Sequence, residues 1–286
     1  MDTWVYMNGR WLSDEEATIS VLDLSVLRGY GVNDYMRTYN RKFFKVQEHI
    51  ARFQKSACDL GLKVPISSKA IATIIEEAKE FMPSGDISLK LILTGGISSD
   101  QITPMKDNAI FFVVAYPFVP FPDRYFTGGI KVITQCYARS LPETKSIYYL
   151  PAIAAMKEAR KVGAVDILFH NDRGDLLELG MANFFAVKGG HVITPASSVL
   201  MGITRQIVLK LAGNHFPVEE RRVHISEVSS FDGAFLTSSS KGLMPISQIN
   251  QHVVPISEEV RTLVREFLHL TSHDKSVKKC CCKSNY

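Results

Sequence analysis

Lys145, Glu178 and the turn Gly202-Ile203-Thr204-Arg205 stand in that order along the chain, and each supplies one part of a single chemistry. A lysine amine condenses with an aldehyde once its ammonium gives up a proton. A carboxylate at the end of the apolar run Leu176-Leu177-Glu178-Leu179 can keep a pyridine nitrogen protonated, and the charged ring then accepts electrons from a substrate carbanion. A helix opening at Gly202 offers unpaired backbone N–H groups, and Thr204 adds a hydroxyl, for a phosphate. Amine, acid and anion turn together make the parts of a pyridoxal 5'-phosphate site.

Taken one at a time, these features have plainer readings: a surface lysine, a strand-edge charge, a helix cap. Their order and spacing favour the chemical reading. Thr237-Ser238-Ser239-Ser240 adds a cluster of small hydroxyl donors, and Arg52, on an amphipathic stretch, offers a cationic contact for phosphate. His170, His191, His215, His224 and His252 show no ligand spacing, so no metal site is expected.

The elements that must position these residues alternate along the whole chain. Trp4 to Leu12 reads as a hairpin turning at Asn8-Gly9, and a second hairpin is expected around Tyr39-Asn40-Arg41-Lys42. His49 to Leu62 and Ser67 to Met82 carry apolar residues at helical spacing. Ile87 to Thr94 and Ala109 to Tyr116 read as strands. The stretch Pro117-Phe118-Val119-Pro120-Phe121-Pro122-Asp123 resists both helix and ladder and reads as a linker. Beyond it, a helix is expected over Leu150 to Val162, then a strand from Val165 to His170. The turn Asn171-Asp172-Arg173-Gly174-Asp175 would let Leu176 to Leu179 pair back. A helix follows Gly202, strands recur near Ala234 and Ile246, and a last helix covers Glu258 to Leu270.

At 286 residues, with 46% hydrophobic and 22% charged content, the chain has material for one large or two modest globular domains. Its formal charge of +4 arises mostly in the last fourteen residues, where Lys275, Lys278, Lys279 and Lys283 oppose Asp274. The body is nearly neutral, which argues against a nucleic-acid partner. The longest apolar run, Ala109 to Tyr116, is eight residues, too short to span a bilayer. The N-terminus reads as lacking a secretory signal, and the five cysteines do not form a disulfide framework. A cytoplasmic location is expected. The segment 273–286 is expected to be a disordered basic tail. Acylation at Cys280, Cys281 and Cys282 is its alternative reading.

Read together, the motifs resemble the class IV aminotransferase family of pyridoxal phosphate enzymes, which includes branched-chain and D-amino-acid aminotransferases and aminodeoxychorismate lyases. The resemblance runs from roughly Val5 to Leu270. It takes in Asp23, Arg28-Gly29-Tyr30-Gly31-Val32, His49-Ile50-Ala51-Arg52, Lys145, Glu178 to Phe185 with Asn183, Thr194-Pro195, Gly202-Ile203-Thr204-Arg205 and Pro245. It implies a mixed α+β, two-domain fold of type IV. A small N-terminal α/β domain would span 1–116, a linker 117–126, and a larger C-terminal domain with a barrel-like sheet 127–272. Lys145 would attach the cofactor and later move the proton, Glu178 would pair with the pyridine nitrogen, and Tyr149 would meet the ring hydroxyl. Arg52, Ile203, Thr204, Ser238 and Ser239 would hold the phosphate. A homodimer is implied as well.

Departures from the family pattern bear on substrate. Asn33 stands where an aromatic residue is usual, Asp34 where glutamate is usual, and Gly180 where serine or threonine is usual. Thr94-Gly95-Gly96-Ile97-Ser98-Ser99-Asp100 lacks the arginine and histidine with which D-amino-acid enzymes hold a substrate carboxylate. A transaminase acting on branched-chain-like L-amino acids is therefore expected over one acting on D-alanine. A lyase releasing pyruvate from aminodeoxychorismate is the alternative on the same scaffold.

Overall fold

Two-residue turns set the start of the chain. Asn8 and Gly9 both hold positive φ, the geometry of a tight hairpin turn, and they join strand Trp4–Met7 to Arg10–Ser13. At the second hairpin Asn40 and Arg41 do the same without a glycine. Arg41 is held there because its backbone N–H donates to Asp86 and its guanidinium to the Met82 and Lys79 carbonyls. The computed structural model describes residues 2–272, and the expected tail at 273–286 lies outside the described residues.

The N-terminal half forms a six-stranded antiparallel sheet. Its order is Arg10–Ser13, Trp4–Met7, Phe111–Pro117, Ile87–Thr94, Gly31–Tyr39 and Lys42–Phe43. Helices Val46–Asp59 and Ser68–Phe81 cover one face. Ile50, Phe53, Ile71 and Ile75 pack there against Met36, Leu89, Leu91 and Val113. Along Gly31–Tyr39 burial alternates, so Asp34 points into this helix-covered face while Asn33 and Arg37 point to the other.

The C-terminal half closes six strands into a ring: Ile130–Cys136, Asp166–His170, Leu176–Leu179, Ala182–Lys188, Gly233–Ser238 and Gly242–Ile249. Closure comes from the pairing of Leu176–Leu179 with Ala182–Lys188, where Glu178 lies opposite Asn183. Ile130, Leu168, Phe184, Leu236 and Met244 cluster on one face of the ring. Phe185, Val187 and Phe235 alternate to the other, against helices Ile203–Gly213 and Glu258–Ser272. Helix Leu150–Lys161 packs on Ile167 and Phe169. The mixed fold with a barrel-like core is thus as the resemblance implied.

The proline-rich stretch has no helix or strand over 118–122 and is bounded by regular elements. Pro117 ends a strand opposite Ile87, and a short helix, Asp123–Thr127, begins directly after Pro122. Proline fits there because a helix start has no use for its missing N–H. Phe121, Tyr125 and Phe126 then pack on the barrel cluster. Among the described residues no helix is long and apolar enough to cross a membrane.

Candidate active site

Lys145 precedes helix Leu150–Lys161 in a segment with no periodic structure of its own, and contacts with the N-terminal half fix it. The Asn33 N–H donates to the Lys145 carbonyl at 2.9 Å and the Ile147 N–H to the Gly31 carbonyl at 3.0 Å. The Asn33 side chain donates to the Ser146 carbonyl at 3.0 Å, and the Lys145 N–H donates to the Ser56 hydroxyl at 3.1 Å. The lysine amine itself lies 3.3 Å from the Tyr149 hydroxyl. Among the described residues it makes no ion pair with a carboxylate. Burial pushes the Tyr149 phenol up, but the Lys145 cation and hydrogen bond, Arg139 and Asn33 outweigh it and bring the phenol below its ordinary range.

Glu178 is buried at the barrel rim, with 7% of its surface exposed. Both carboxylate oxygens are engaged. Oε1 accepts from the Arg139 guanidinium at 3.1 Å and Oε2 from the Leu200 N–H at 3.1 Å. Burial raises the Glu178 carboxyl above its usual range, and Arg139, the Leu200 N–H and Lys145 only partly oppose it. The same Arg139 donates to the Thr144 carbonyl, directly before Lys145. One guanidinium therefore ties the acid to the lysine segment.

A helix opens after Gly202, as its sequence suggests. Gly202 caps helix Ile203–Gly213 with extended backbone, φ −64° and ψ 138°. A Cβ on Gly202 would lie 2.1 Å from Asn183 Oδ1, so glycine is required by the close approach of Asn183. The Asn183 amide in turn donates to the Leu200 carbonyl at 2.7 Å. Ile203, Thr204 and Ser239 line one recess together with Arg37, Tyr39 and His49. Ser238 is turned elsewhere: its hydroxyl accepts from the Lys241 N–H at 3.1 Å and lies 3.3 Å from the Ser240 hydroxyl. Thr237 Oγ1 is buried without a hydrogen-bond partner, on a strand that sets Thr237 opposite Asn183.

Arg52 is no solvated helix charge. Its Nε and one terminal nitrogen bind the two oxygens of Asp34, each at 2.8 Å, while His49 Nδ1 lies 2.7 Å from Asp34 Oδ1. Asp34 is fully buried. Burial would raise its carboxyl, yet the Arg52 and His49 charges and hydrogen bonds hold it well below the carboxylate range. The spacing of His49 and Arg52, one helical turn apart, together with the buried-face position of Asp34, is the sequence signal for this triad. Arg139 carries no comparable signal. It lies in an irregular loop and reaches Glu178 from thirty-nine positions away. A second buried pair, Lys241 with Asp166 at 2.6 Å, is equally unmarked in the sequence.

A family model described as amino-transferase class IV matches residues 31–249. A putative branched-chain-amino-acid aminotransferase from Methanocaldococcus jannaschii is 29% identical over 259 residues, covering 87% of this chain and 89% of its own. D-alanine aminotransferase from Listeria monocytogenes is 28% identical over 286 residues, covering 96% and 97%. Among solved structures, the branched-chain aminotransferase of Thermoproteus uzoniensis with norvaline superposes with a TM-score of 0.86 at 24% identity, over 95% of this chain and 96% of its own. A branched-chain amino acid aminotransferase from T.th., solved with pyridoxamine 5'-phosphate, gives 0.86 at 23% identity, over 94% of each chain.

Proposed function

Because the chain belongs to the class IV aminotransferase family, we propose that it moves an amino group between a branched-chain-like L-amino acid and a 2-oxo acid, using pyridoxal 5'-phosphate. The residues present fit that cofactor. Thr237 Oγ1, a buried hydroxyl without a partner among the described residues, stands opposite Asn183, whose Oδ1 abuts Gly202 at the start of helix Ile203–Gly213; it is a donor that a phosphate would satisfy. Thr204, Ser239 and the first N–H groups of that helix complete the cradle. Arg52, oriented by Asp34, supplies positive charge. Ser238 would join only if its hydroxyl left the Lys241 N–H.

When bound, the cofactor supplies the electron sink for the charge left as the substrate α-carbon loses its proton. The chain's own groups do the rest. Lys145 Nζ is the covalent attachment point and the carrier of that proton, and Tyr149 holds the amine by its hydroxyl. Glu178 holds the proton on the ring nitrogen from its buried place at the barrel rim.

The choice of substrate class rests on the turn after Thr94. Asp100 sits there with hydrogen bonds from Thr103 and Ser98 and from the Ile102 and Thr103 N–H groups. These hold its carboxyl well below the usual range. The turn carries no arginine or histidine that would capture a D-amino-acid carboxylate there. By the same family analogy the active form is a homodimer, and a monomeric, fully active species in light scattering would refute that part.

The test is a spectral half-reaction with L-leucine, L-valine, L-isoleucine and D-alanine. The expected result is conversion of the bound cofactor to its pyridoxamine form by the L-amino acids. Lys145→Ala should lose the visible absorbance of the attached cofactor, and Glu178→Gln should keep the cofactor but turn over slower by orders of magnitude. Faster reaction with D-alanine, or pyruvate release from aminodeoxychorismate with the cofactor returned as aldehyde, would overturn the assignment.

A further inference from the structure

Among the described residues the Glu178 carboxylate has two hydrogen-bond partners, one of them a side chain. The Leu200 N–H fixes Oε2 at 3.1 Å, and Arg139 fixes Oε1 at the same distance. Arg139 spends another of its N–H groups on the Thr144 carbonyl, one residue before the reactive lysine. We propose that Arg139 is a positioning residue of the reaction, whose guanidinium binds the Glu178 carboxylate to the backbone in front of Lys145, so that acid and amine keep one separation and Glu178 faces the cofactor ring as an anion.

The physical case begins with what Glu178 would do alone. A carboxylate at this depth is pushed toward its neutral form. A neutral acid donates a hydrogen bond where the ring nitrogen needs an acceptor. The charges that oppose protonation are few. Arg139 comes first and Lys145 after it. On the strands paired with Leu176–Leu179, Asp166 is bound to Lys241, and His170 lies at the strand end against the Asn171 carbonyl. Across from Glu178 stands Asn183, which carries no charge. Lys145 cannot serve as a lasting counter-charge, because attachment of the cofactor occupies its amine. Arg139 is the cation that stays.

Geometry argues for the same role. The loop before Lys145 has no ladder or helix of its own. On the N-terminal side the Thr144 hydroxyl donates to Asp59 at 2.9 Å and Glu143 pairs with Lys55 at 4.0 Å. On the barrel side the Tyr137 N–H donates to the His170 carbonyl at 2.9 Å at the start of the loop, and Arg139 ties the loop's end, at Thr144, to Glu178. A guanidinium does this with two N–H groups in fixed geometry, which an ammonium cannot copy.

This assignment rests on the proposed transamination. It is tested by Arg139→Met, which removes charge and hydrogen bonds at similar length, and by Arg139→Lys, which restores only the charge. In the cofactor-free protein, the Glu178 side-chain carbon is followed by 13C NMR through a pH titration. In the holoenzyme, the acid limb of kcat/KM is measured for the amino-group half-reaction. Arg139→Met should shift the Glu178 titration and the acid limb upward together, by on the order of one pH unit, tenfold in the protonation equilibrium. Arg139→Lys should recover most of that shift while kcat stays low, since the tie to Thr144 is still lost. An unchanged titration and limb in Arg139→Met, with activity uniformly reduced, would overturn the proposal and leave Arg139 a packing residue. If Arg139→Met does not fold, Arg139→Gln takes its place under the same criterion. Failure of the wild-type chain to react with any amino acid would refute the transaminase reading instead, and the carboxyl titration would still judge Arg139.

Discussion

Gly202→Ala is the most exacting test of the phosphate cradle, because its effect follows from one distance. The backbone at Gly202 has φ −64° and ψ 138°, which any residue adopts, so alanine brings no conformational strain. It brings a clash. The new Cβ would lie 2.1 Å from Asn183 Oδ1, whereas a carbon and an oxygen approach to roughly 3.3 Å. The gap must open by about 1.2 Å on that scale. If Asn183 swings away, its 2.7 Å bond to the Leu200 carbonyl breaks, costing about 1 kcal/mol and more where the groups stay buried. If the helix start retreats instead, overpacking costs about 1–3 kcal/mol and the first N–H groups lose their aim at the phosphate. By either route the expected cost is about 1–3 kcal/mol in the cofactor-free protein, read by urea unfolding. Titration with pyridoxal 5'-phosphate and with pyridoxal, which lacks the phosphate, separates the two routes. The wild type should prefer the phosphorylated form strongly, and Gly202→Ala should lose much of that preference. Adding Asn183→Ala removes the oxygen in the way and should recover part of the stability lost. The reasoning fails if Gly202→Ala lies within about 0.5 kcal/mol of wild type, the range of an ordinary surface change, and keeps its preference for the phosphate.

Two further outcomes follow from charges away from the site. Lys241→Met should destabilise by about 3–5 kcal/mol, because it leaves the buried Asp166 carboxylate without its cation. The double variant with Asp166→Leu should be closer to wild type, and equal loss in both variants would rule out the uncompensated charge as the cause. Glu227 is held at about 2 by hydrogen bonds from Arg221, with help from the His224 N–H and the Arg221 and Lys188 charges. A depressed carboxyl contributes stability that is complete above its unfolded value near 4.5 and is lost as pH falls toward about 2. Glu227→Gln should therefore flatten the decline of the melting temperature in that window, and an unaltered profile would show that the Arg221 contact carries no net stability.

Residues marked by their neighbours in sequence are legible; residues marked only by their neighbours in space are not. Lys145, Glu178 and Thr204 can be read because each sits at a recognisable local feature: a lysine before a helix, an acid in an apolar run, a hydroxyl one residue into a helix. Arg52 stands out for its charge, but its clamp on Asp34 depends on a strand and a helix meeting. Ser238 and Thr237 differ only by strand alternation. The serine turns into the following turn, and the threonine presents the buried hydroxyl. Barrel closure is implied by family resemblance and not by pattern. Strand Ile130–Cys136 pairs in parallel with both Asp166–His170 and Gly242–Ile249, and no local signal encodes partners so far along the chain. The proline run keeps residues 118–122 out of helix and strand as its composition suggests, but that Phe121, Tyr125 and Phe126 find apolar cover on the barrel cluster has no local signal.

The position of Lys145 explains why Asn33 matters although it carries no charge. The lysine belongs to the C-terminal half, yet Asn33 and Ser56 of the N-terminal half bond its backbone, and Asn33 and Gly31 bond that of Ser146 and Ile147 after it. Gly31 has no room for a side chain, since a Cβ there would meet the Leu93 carbonyl of the next strand at 2.6 Å and the Ile147 side chain of the lysine segment at 3.0 Å. Glu178 and the helix at Gly202 are referenced to the barrel instead. Lys145, Glu178 and the proposed phosphate cradle are thus held by two separate sheets, and the contacts across the Asn33–Ser146 seam and through Arg139 bring them into one frame. A small displacement of a reacting group lowers rate steeply. Asn33 therefore bears on the proposed site through backbone placement: its N–H and side-chain amide hold the Lys145 and Ser146 carbonyls, from the sheet face it shares with Arg37.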